Sequence, residues 1–181
     1  MKDYEIIELI EKATKNDDVA FSHLIKYYEN DFYRIAYSNL RNHEDVLDAL
    51  QNTYFLIYKH LRKLKSKEKY KTWAIKILYN ECNKIHNRRK TDYENISEFK
   101  ESELNELYYF DKTDNLANQI SLNSAMKLLN NEDKMMLSLK YSTRLTIKEI
   151  ASIVGKPENT VKTRLRRSKE FLSNHLKKGL Y

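Results

Sequence analysis

Glycine and proline are nearly absent from this chain: two glycines and one proline occur among 181 residues. The turns that join β-strands depend on these residues, so few positions could support a sheet. The scarcity predicts an all-α fold. The hydrophobic content of 41% is enough for small cores, and the length suits one domain or two small ones.

Cysteine occurs once, at position 82, so the chain cannot form an internal disulfide or a zinc site built from several cysteines. The five histidines are scattered, and none lies near carboxylates at the spacing of metal ligands. No apolar run is long enough to cross a bilayer, and the N-terminus does not resemble a signal peptide. We therefore expect a cytoplasmic protein without a metal ion.

The signatures of catalysis are missing as well. The sequence contains no glycine-rich phosphate loop and no nucleophile motif. A helical hydrolase would need clustered acid, base or metal-binding residues, and we find none. The sequence predicts neither an enzyme nor a cofactor.

Charge is unevenly distributed around a net value of +7. Residues 1–90 carry 18 Lys and Arg against 13 Asp and Glu, and residues 121–181 carry 13 against 5. Residues 91–120, between them, carry 2 against 8 and resemble a flexible linker. Two basic segments around an acidic one predict an anionic partner contacted in two places, and nucleic acid fits that description best.

The clearest motif runs from Thr146 to Leu172. Thr146 and Glu149 form a capping box that begins a helix, Gly155 can end it in the left-handed conformation, and Pro157 suits the first turn of the next helix. A short helix, a glycine turn and a basic helix are the layout of a helix-turn-helix.

The second helix of this motif has an apolar face formed by Val161, Leu165 and Leu172. Amide and guanidinium groups on its other face suit base edges in the major groove. A solvated basic surface is the alternative interpretation. The candidate DNA-reading residues are Glu158, Asn159, Lys162, Thr163, Arg166 and Arg167.

A long helix is predicted over residues 43–64. Its apolar stripe faces a core, whereas its opposite face places an aromatic ring among acidic and amide groups, which is typical of a protein-docking patch. A neighbouring helix that covers this aromatic ring is the alternative. The candidate docking residues are Asp48, Gln51, Asn52 and Phe55.

The next helix is predicted over residues 72–89, after a lysine-rich loop at 65–71. Trp73 falls opposite the apolar face, beside this loop, and aromatic rings among lysines and amides suit unstacked single-stranded bases. A core position for Trp73 beneath the loop is the alternative. The candidate single-strand contacts are Lys65, Lys67, Lys69, Tyr70, Trp73, Lys76, Asn80 and Lys84.

The remaining apolar patterns predict shorter helices. They lie at residues 4–13, 19–28, 31–40, 116–129 and 131–141, with a helical turn near 104–109 in the acidic segment.

Four runs of sequence resemble one known family. The runs Asp48-Ala-Leu-Gln-Asn-Thr-Tyr-Phe55, Lys71-Thr-Trp-Ala-Ile-Lys-Ile-Leu-Tyr-Asn80 and Asn87-Arg-Arg-Lys90 resemble region 2 of bacterial sigma-70 family RNA polymerase sigma factors. The run from Leu145 to Arg167 resembles their region 4. Both regions with only a short linker are the plan of the extracytoplasmic function (ECF) subfamily. The resemblance implies a region 2 domain at 1–92, a linker at 93–117 and a region 4 domain at 118–181.

The resemblance implies a promoter-recognition subunit of core RNA polymerase. Region 2 of the family docks on the clamp coiled coil of the largest core subunit, and Asp48 and Gln51 match its docking motif, with Asn52 where an acid is usual. Region 2 also captures melted bases of the −10 element, through the segment that holds Trp73. Lys71 replaces the aromatic that usually precedes Thr-Trp. Region 4 reads the −35 element as duplex DNA.

Regulation is a further expectation. The sequence has no long acidic extension before its first helices that could mask its DNA-binding faces. We therefore expect inhibition by a separate anti-sigma factor that is membrane-associated. A stand-alone helix-turn-helix regulator with an N-terminal sensing domain is the alternative, but the basic aromatic face of the N-terminal half favours the sigma factor.

Overall fold

The computed structural model describes residues 3–95, residue 122 and residues 124–178, and all regular secondary structure in these ranges is helical, as predicted. The α-helices are α1 Asp3–Thr14, α2 Asp18–Leu40, α3 His43–His60, α4 Tyr70–Asn95, α5 Asn131–Tyr141, α6 Ile147–Val154 and α7 Glu158–Lys178. Short 3₁₀ turns occupy Leu61–Lys63 and Lys67–Lys69, between α3 and α4.

Some predicted elements lie outside the described residues. These are the helical turn near 104–109, nearly all of the acidic segment and the first part of the predicted helix 116–129. Residues 124–127 of that last prediction are helical and lead into α5.

Helix α2 replaces two predicted helices, so the break predicted between residues 28 and 31 was wrong. Asp17 caps this helix, and its side chain accepts a hydrogen bond from the backbone N–H of Ala20 at 2.9 Å. The buried stripe of Leu24, Tyr28 and Phe32 continues through the predicted break at helical spacing. Two polar residues without glycine or proline cannot interrupt a helix whose apolar face is buried on both sides of them.

The helix before the lysine-rich loop ends at a different residue than predicted, and the helix after it begins at a different one. Helix α3 ends at His60 instead of residue 64, and the chain tightens into a 3₁₀ turn. Helix α4 begins at Tyr70, two residues early, and continues to Asn95. Tyr70 and Lys71 are therefore helical, and their side chains point in other directions than those expected for a loop.

Helices α1 to α4 pack around one apolar core, which includes Ile10, Leu24, Phe32, Ile57 and Leu78. Within this core lies an aromatic cluster. The Tyr28 ring stacks on Phe32 with centroids 5.7 Å apart and lies 5.5 Å from the ring of Tyr70. These rings fix α4 against α2.

Helices α6 and α7 form the predicted helix-turn-helix. The Glu149 carboxylate accepts a hydrogen bond from the Thr146 N–H at 2.8 Å, while the Thr146 hydroxyl oxygen accepts one from the Glu149 N–H. Gly155 ends α6 with φ of 68°, in the left-handed region. Pro157 stands just before α7 instead of within its first turn, and its carbonyl accepts from the Val161 N–H at 3.1 Å.

The helix-turn-helix unit packs on the N-terminal helices: α5 contacts α2, and α6 contacts α4. The six consecutive residues 134–139 of α5 are all buried. Consecutive residues point in all directions around a helix, so burial of all six requires neighbours on several sides. Helix α5 is therefore central to the packing of the two units against each other.

Gly155 provides a test of the turn. Apart from its neighbours in the chain, none of the described residues has an atom within 4 Å of a Cβ built at this position, so mainly the backbone conformation opposes a side chain there. We expect Gly155→Val to lower the free energy of unfolding by about 1–2 kcal/mol, because a side chain disfavours the left-handed conformation. Gly155→Asn is the matched control, since asparagine tolerates this conformation and should cost less. Urea unfolding followed by circular dichroism measures both, and equal losses would contradict this explanation of the turn.

Candidate docking and nucleic-acid surfaces

The predicted docking residues lie together on the outer face of α3. Asp48, Gln51, Asn52 and Phe55 are all exposed, and we call them the docking surface. The Phe55 side chain is 62% exposed, so the alternative in which a neighbouring helix covers it was wrong. The Lys59 ammonium lies 5.9 Å from the centre of the Phe55 ring. An exposed aromatic ring among polar groups can anchor a protein partner.

Two exposed apolar side chains beside the docking surface were missed in the sequence analysis. Tyr58 lies one turn beyond Phe55, packs edge-on against Phe21 at 5.1 Å and donates a hydrogen bond to Asp18 at 3.2 Å. Leu47, at the other end, borders an open groove of about 820 Å³ between α2 and α3. Tyr58 lies three residues after Phe55, and Leu47 lies four residues before Gln51. This helical spacing alone could have placed both side chains beside the docking surface.

The lysines of the 65–69 loop serve two purposes. Lys65 and Lys69 are exposed and form no ion pair with another described residue. Lys67 instead contacts α1, where its ammonium lies 2.6 Å from the Glu11 carboxylate. The Lys67 hydrogen bond lowers the pKa of Glu11, which keeps this surface pair charged. The pair attaches the loop to α1 and leaves Lys65 and Lys69 as its exposed cations.

Tyr70 is not part of an exposed single-strand surface, and this corrects the prediction. Its side chain is 1% exposed and lies within the aromatic cluster, 6.0 Å from the Trp73 ring. Burial raises the pKa of its hydroxyl, which has no hydrogen-bond partner among the described residues. The cause is the start of α4 at Tyr70, which turns this side chain toward α2.

Trp73 is half-buried and packs against the core, so the core interpretation of this residue holds in part. Lys76, Asn80 and Lys84 follow it along α4 and are exposed. Their spacing of four residues places them in one row on the helix surface. The Lys84 ammonium lies 2.7 Å from Glu81. We call Lys65, Lys69, Trp73 and this row the strand surface.

The predicted DNA-reading residues of α7 are accessible. All six lie exposed on the recognition face, opposite the buried side chains of Val161, Leu165 and Ser168. Arg166 forms an ion pair with Glu170 one turn later, with a separation of 2.7 Å. This exposed pair stabilises the helix only slightly, so it leaves the Arg166 guanidinium available to a ligand.

Arg164 was not identified in the sequence analysis, and its role is structural. Its guanidinium donates hydrogen bonds to Asp133 at 2.6 Å and to Asn130 at 3.1 Å, and it also contacts Glu132. Lys156 adds an ion pair with Glu132 at 3.1 Å. These contacts hold α7 against the start of α5 and set the direction in which the recognition face points.

The described part of the chain contains no group of three or more His, Cys, Asp and Glu that could hold a metal ion. Cys82 is buried, and burial raises the pKa of its thiol to about 12. None of the helices in the described ranges is long and apolar enough to span a membrane.

Comparison with known proteins gives matches to both helical units. Residues 24–91 match the family model for sigma-70 region 2, and residues 119–172 match that for sigma-70 region 4. The chain is 27% identical over 177 residues to the ECF RNA polymerase sigma factor SigW of Bacillus subtilis (strain 168), covering 93% of this chain and 95% of SigW. It is 29% identical over 158 residues to the RNA polymerase sigma factor SigV of the same strain, covering 83% and 87%.

Two solved structures share the fold. CnrH, in complex with the cytosolic domain of CnrY, matches with a TM-score of 0.68 and 18% identity, over 94% of this chain and 96% of CnrH. The sigma factor RpoE from Bartonella quintana, in complex with the anti-sigma factor NepR, matches with a TM-score of 0.72 and 21% identity, over 87% and 96%. Both region models and nearly full-length relatives lead to one conclusion: this chain belongs to the sigma-70 family of RNA polymerase sigma factors, in the ECF subfamily.

Proposed function

We propose that this chain binds core RNA polymerase, directs it to specific promoters and assists DNA opening, without catalysing a reaction itself. The main support is the presence, on one chain, of an exposed docking surface, a basic strand surface and an exposed recognition helix. Each surface lies within a segment that matches region 2 or region 4 of the family. We assign residues 1–92 to the region 2 domain, 93–117 to the linker and 118–181 to the region 4 domain.

A comparison with and without core polymerase tests this proposal. We expect weak binding of the isolated chain to promoter DNA and tight, promoter-specific binding once core enzyme is added. Tight specific binding by the chain alone would favour a stand-alone regulator. The region 2 match over residues 24–91 argues against that alternative, because it occupies the part of the chain where a sensing domain would lie.

We further propose that an anti-sigma factor, membrane-associated, holds this chain inactive in the cytoplasm. The two solved structures that share the fold contain CnrH with the cytosolic domain of CnrY and RpoE with NepR. In-cell crosslinking followed by recovery of the chain should yield such a partner. Constitutive activity in cells, with no inhibitor recovered, would contradict this proposal.

The docking surface generates the first functional prediction. Phe55→Ala, or Asp48→Ala with Gln51→Ala, should weaken binding to core polymerase by about 2 kcal/mol, roughly 30-fold, because interface anchors contribute on that scale. Fluorescence anisotropy of the labelled chain titrated with core enzyme measures the affinity. Lys162→Ala, an exposed substitution on α7, is the control. Wild-type affinity of the α3 variants would exclude this surface as the docking site.

The recognition helix generates the second functional prediction. If Arg166 reads a base edge, Arg166→Ala should cost about 1–3 kcal/mol and relax preference at one position of the −35 element. Lys162→Ala should weaken all promoter variants alike, because a phosphate contact carries no sequence information. Glu170→Ala removes the intrachain partner of Arg166 and should leave promoter preference unchanged. Transcription from promoters altered at single −35 positions measures preference, and a wild-type pattern for Arg166→Ala would exclude base reading.

The strand surface generates the third functional prediction. Lys76→Ala and Asn80→Ala should each reduce permanganate reactivity of −10 thymines about fivefold on a linear promoter, because a lost hydrogen bond to a base or phosphate costs about 1 kcal/mol. Both residues are exposed, so folding should be unaffected.

A pre-melted bubble at the −10 element separates melting from binding. We expect the bubble to relieve most of the defect, since the cost of unstacking is then already met. An equal defect in core binding would place these residues outside the melting step. Trp73→Ala requires a parallel measurement of thermal stability, because this side chain also packs on the core.

A further inference from the structure

A dense run of positive charge joins α3 to α4, and only part of it belongs to the strand surface. Residues 59–69 carry six Lys and Arg against one Glu. Like charges held this close repel one another, so a fold that exposes them together favours an anionic partner. Arg62 and Lys63 of this run belong to none of the three candidate surfaces.

The 3₁₀ turn Leu61–Lys63 directs these two side chains outward. The Leu61 carbonyl accepts a hydrogen bond from the Leu64 N–H at 3.0 Å, and side chains three residues apart in such a turn lie above one another. Leu61 is buried, and Leu64 packs half-buried against the core. The intervening Arg62 and Lys63 therefore point away from the core, and both are exposed.

The end of α1 adds a third cation, because both 3₁₀ turns pack on this helix. Lys15 follows the last residue of α1 and comes one helical turn after Glu11, which pairs with Lys67 of the loop. The hydrogen bond from Lys67 lowers the pKa of Glu11, and the charge of Lys15 lowers it further, so Lys15 lies within electrostatic range of this pair. We call Lys15, Arg62 and Lys63 the turn patch.

The positive charge of the turn patch is not neutralised by the described residues. All three of its cations are exposed, and none forms an ion pair with another described residue. Two acids of the same region are engaged by other groups. Glu11 is paired with Lys67, and Glu68 accepts a hydrogen bond from the Ser66 hydroxyl at 2.7 Å. The patch therefore leaves three cations available to an external anion.

We propose that the turn patch binds phosphates of promoter DNA directly downstream of the bases captured at the −10 element. This inference rests on the proposed function and adds a contact that lies outside the docking surface, the strand surface and the recognition helix. Its ligand is a row of phosphodiester groups, which lysine and arginine bind without reading sequence.

Continuity with the strand surface favours DNA as the partner. Only Leu64 separates Lys63 from Lys65, so the turn patch extends the strand surface without an acidic interruption. The direction along the DNA follows from the order of the chain. The C-terminal end of α4 leads in sequence to the unit that reads the upstream −35 element, so the opposite end, at the loop, faces downstream.

The salt dependence of binding counts such contacts, because each cation that meets a phosphate releases counterions. The slope of log K against log salt concentration changes by about 0.7 per contact on a single strand and about 0.9 on a duplex. Arg62→Gln with Lys63→Gln should therefore reduce the slope by about 1.4–1.8 and weaken all promoter sequences alike. Adding Lys15→Gln should reduce it by about 0.7–0.9 more.

Two templates locate the contact. Polymerase assembled from core enzyme and this chain is titrated onto fluorescent promoter DNA that is pre-melted at the −10 element, and anisotropy gives the affinity at several salt concentrations. One template continues to the transcription start, and the other ends directly after the −10 element. We expect the reduced slope on the long template only, because the short template lacks the downstream phosphates.

Lys12→Gln with Lys26→Gln is the matched control. It removes the same charge from α1 and α2, at exposed lysines that each pair with a neighbouring glutamate, and it should leave the slope unchanged. All five substituted positions are exposed, so folding should be unaffected.

Several results would overturn the inference: equal slopes for wild-type and variant chains on the long template, an equal loss on both templates, or the same loss in the control. A lipid surface is the competing partner. Loss of binding to phosphatidylglycerol vesicles in the turn-patch variants, with an unchanged slope on DNA, would also overturn it. Wild-type polymerase that fails to bind the promoter specifically would contradict the proposed function itself, so the wild-type titration separates the two failures.

Discussion

The buried face of α2 is the contact on which the rest of the structure depends. This single helix packs against α1, α3 and α4, and also against α5 of the helix-turn-helix unit. Phe32 and Ile35, on that face, are completely buried. Because α3 and α4 bury their inner faces there, their outer faces remain free for Phe55 and for the row that begins at Lys76. The candidate interfaces are therefore the helix faces that do not take part in core packing.

Two basic residues hold parts of the fold together through ion pairs with acidic side chains. Lys67 attaches its loop to Glu11, and Arg164 joins α7 to the acidic start of α5. Such pairs are partly screened by solvent and contribute modestly to stability. Their effect is mainly directional, since they determine how the loop and the recognition helix are presented. Net basic charge alone does not separate these residues from the exposed cations Lys69 and Lys162.

The contact between the two helical units lies beside the strand surface, at the start of α4. Helix α5 is buried because the two units are packed together. Lys71 and Thr72 adjoin the strand surface, and their side chains donate hydrogen bonds to Thr143 and Glu149 of the helix-turn-helix unit.

Local chemistry allowed the sequence by itself to determine the helix-turn-helix. The Thr146–Glu149 capping box and Gly155 act within a few residues, and the exposed face of α7 follows from helical spacing. The exposure of Phe55 followed in the same way from the pattern of α3. The continuity of α2, the burial of Tyr70 and the half-burial of Trp73 were decided only by the tertiary structure, as was the packing of α5 on α2. Each depends on side chains from helices distant in sequence, and helical periodicity describes one helix without identifying what packs against it.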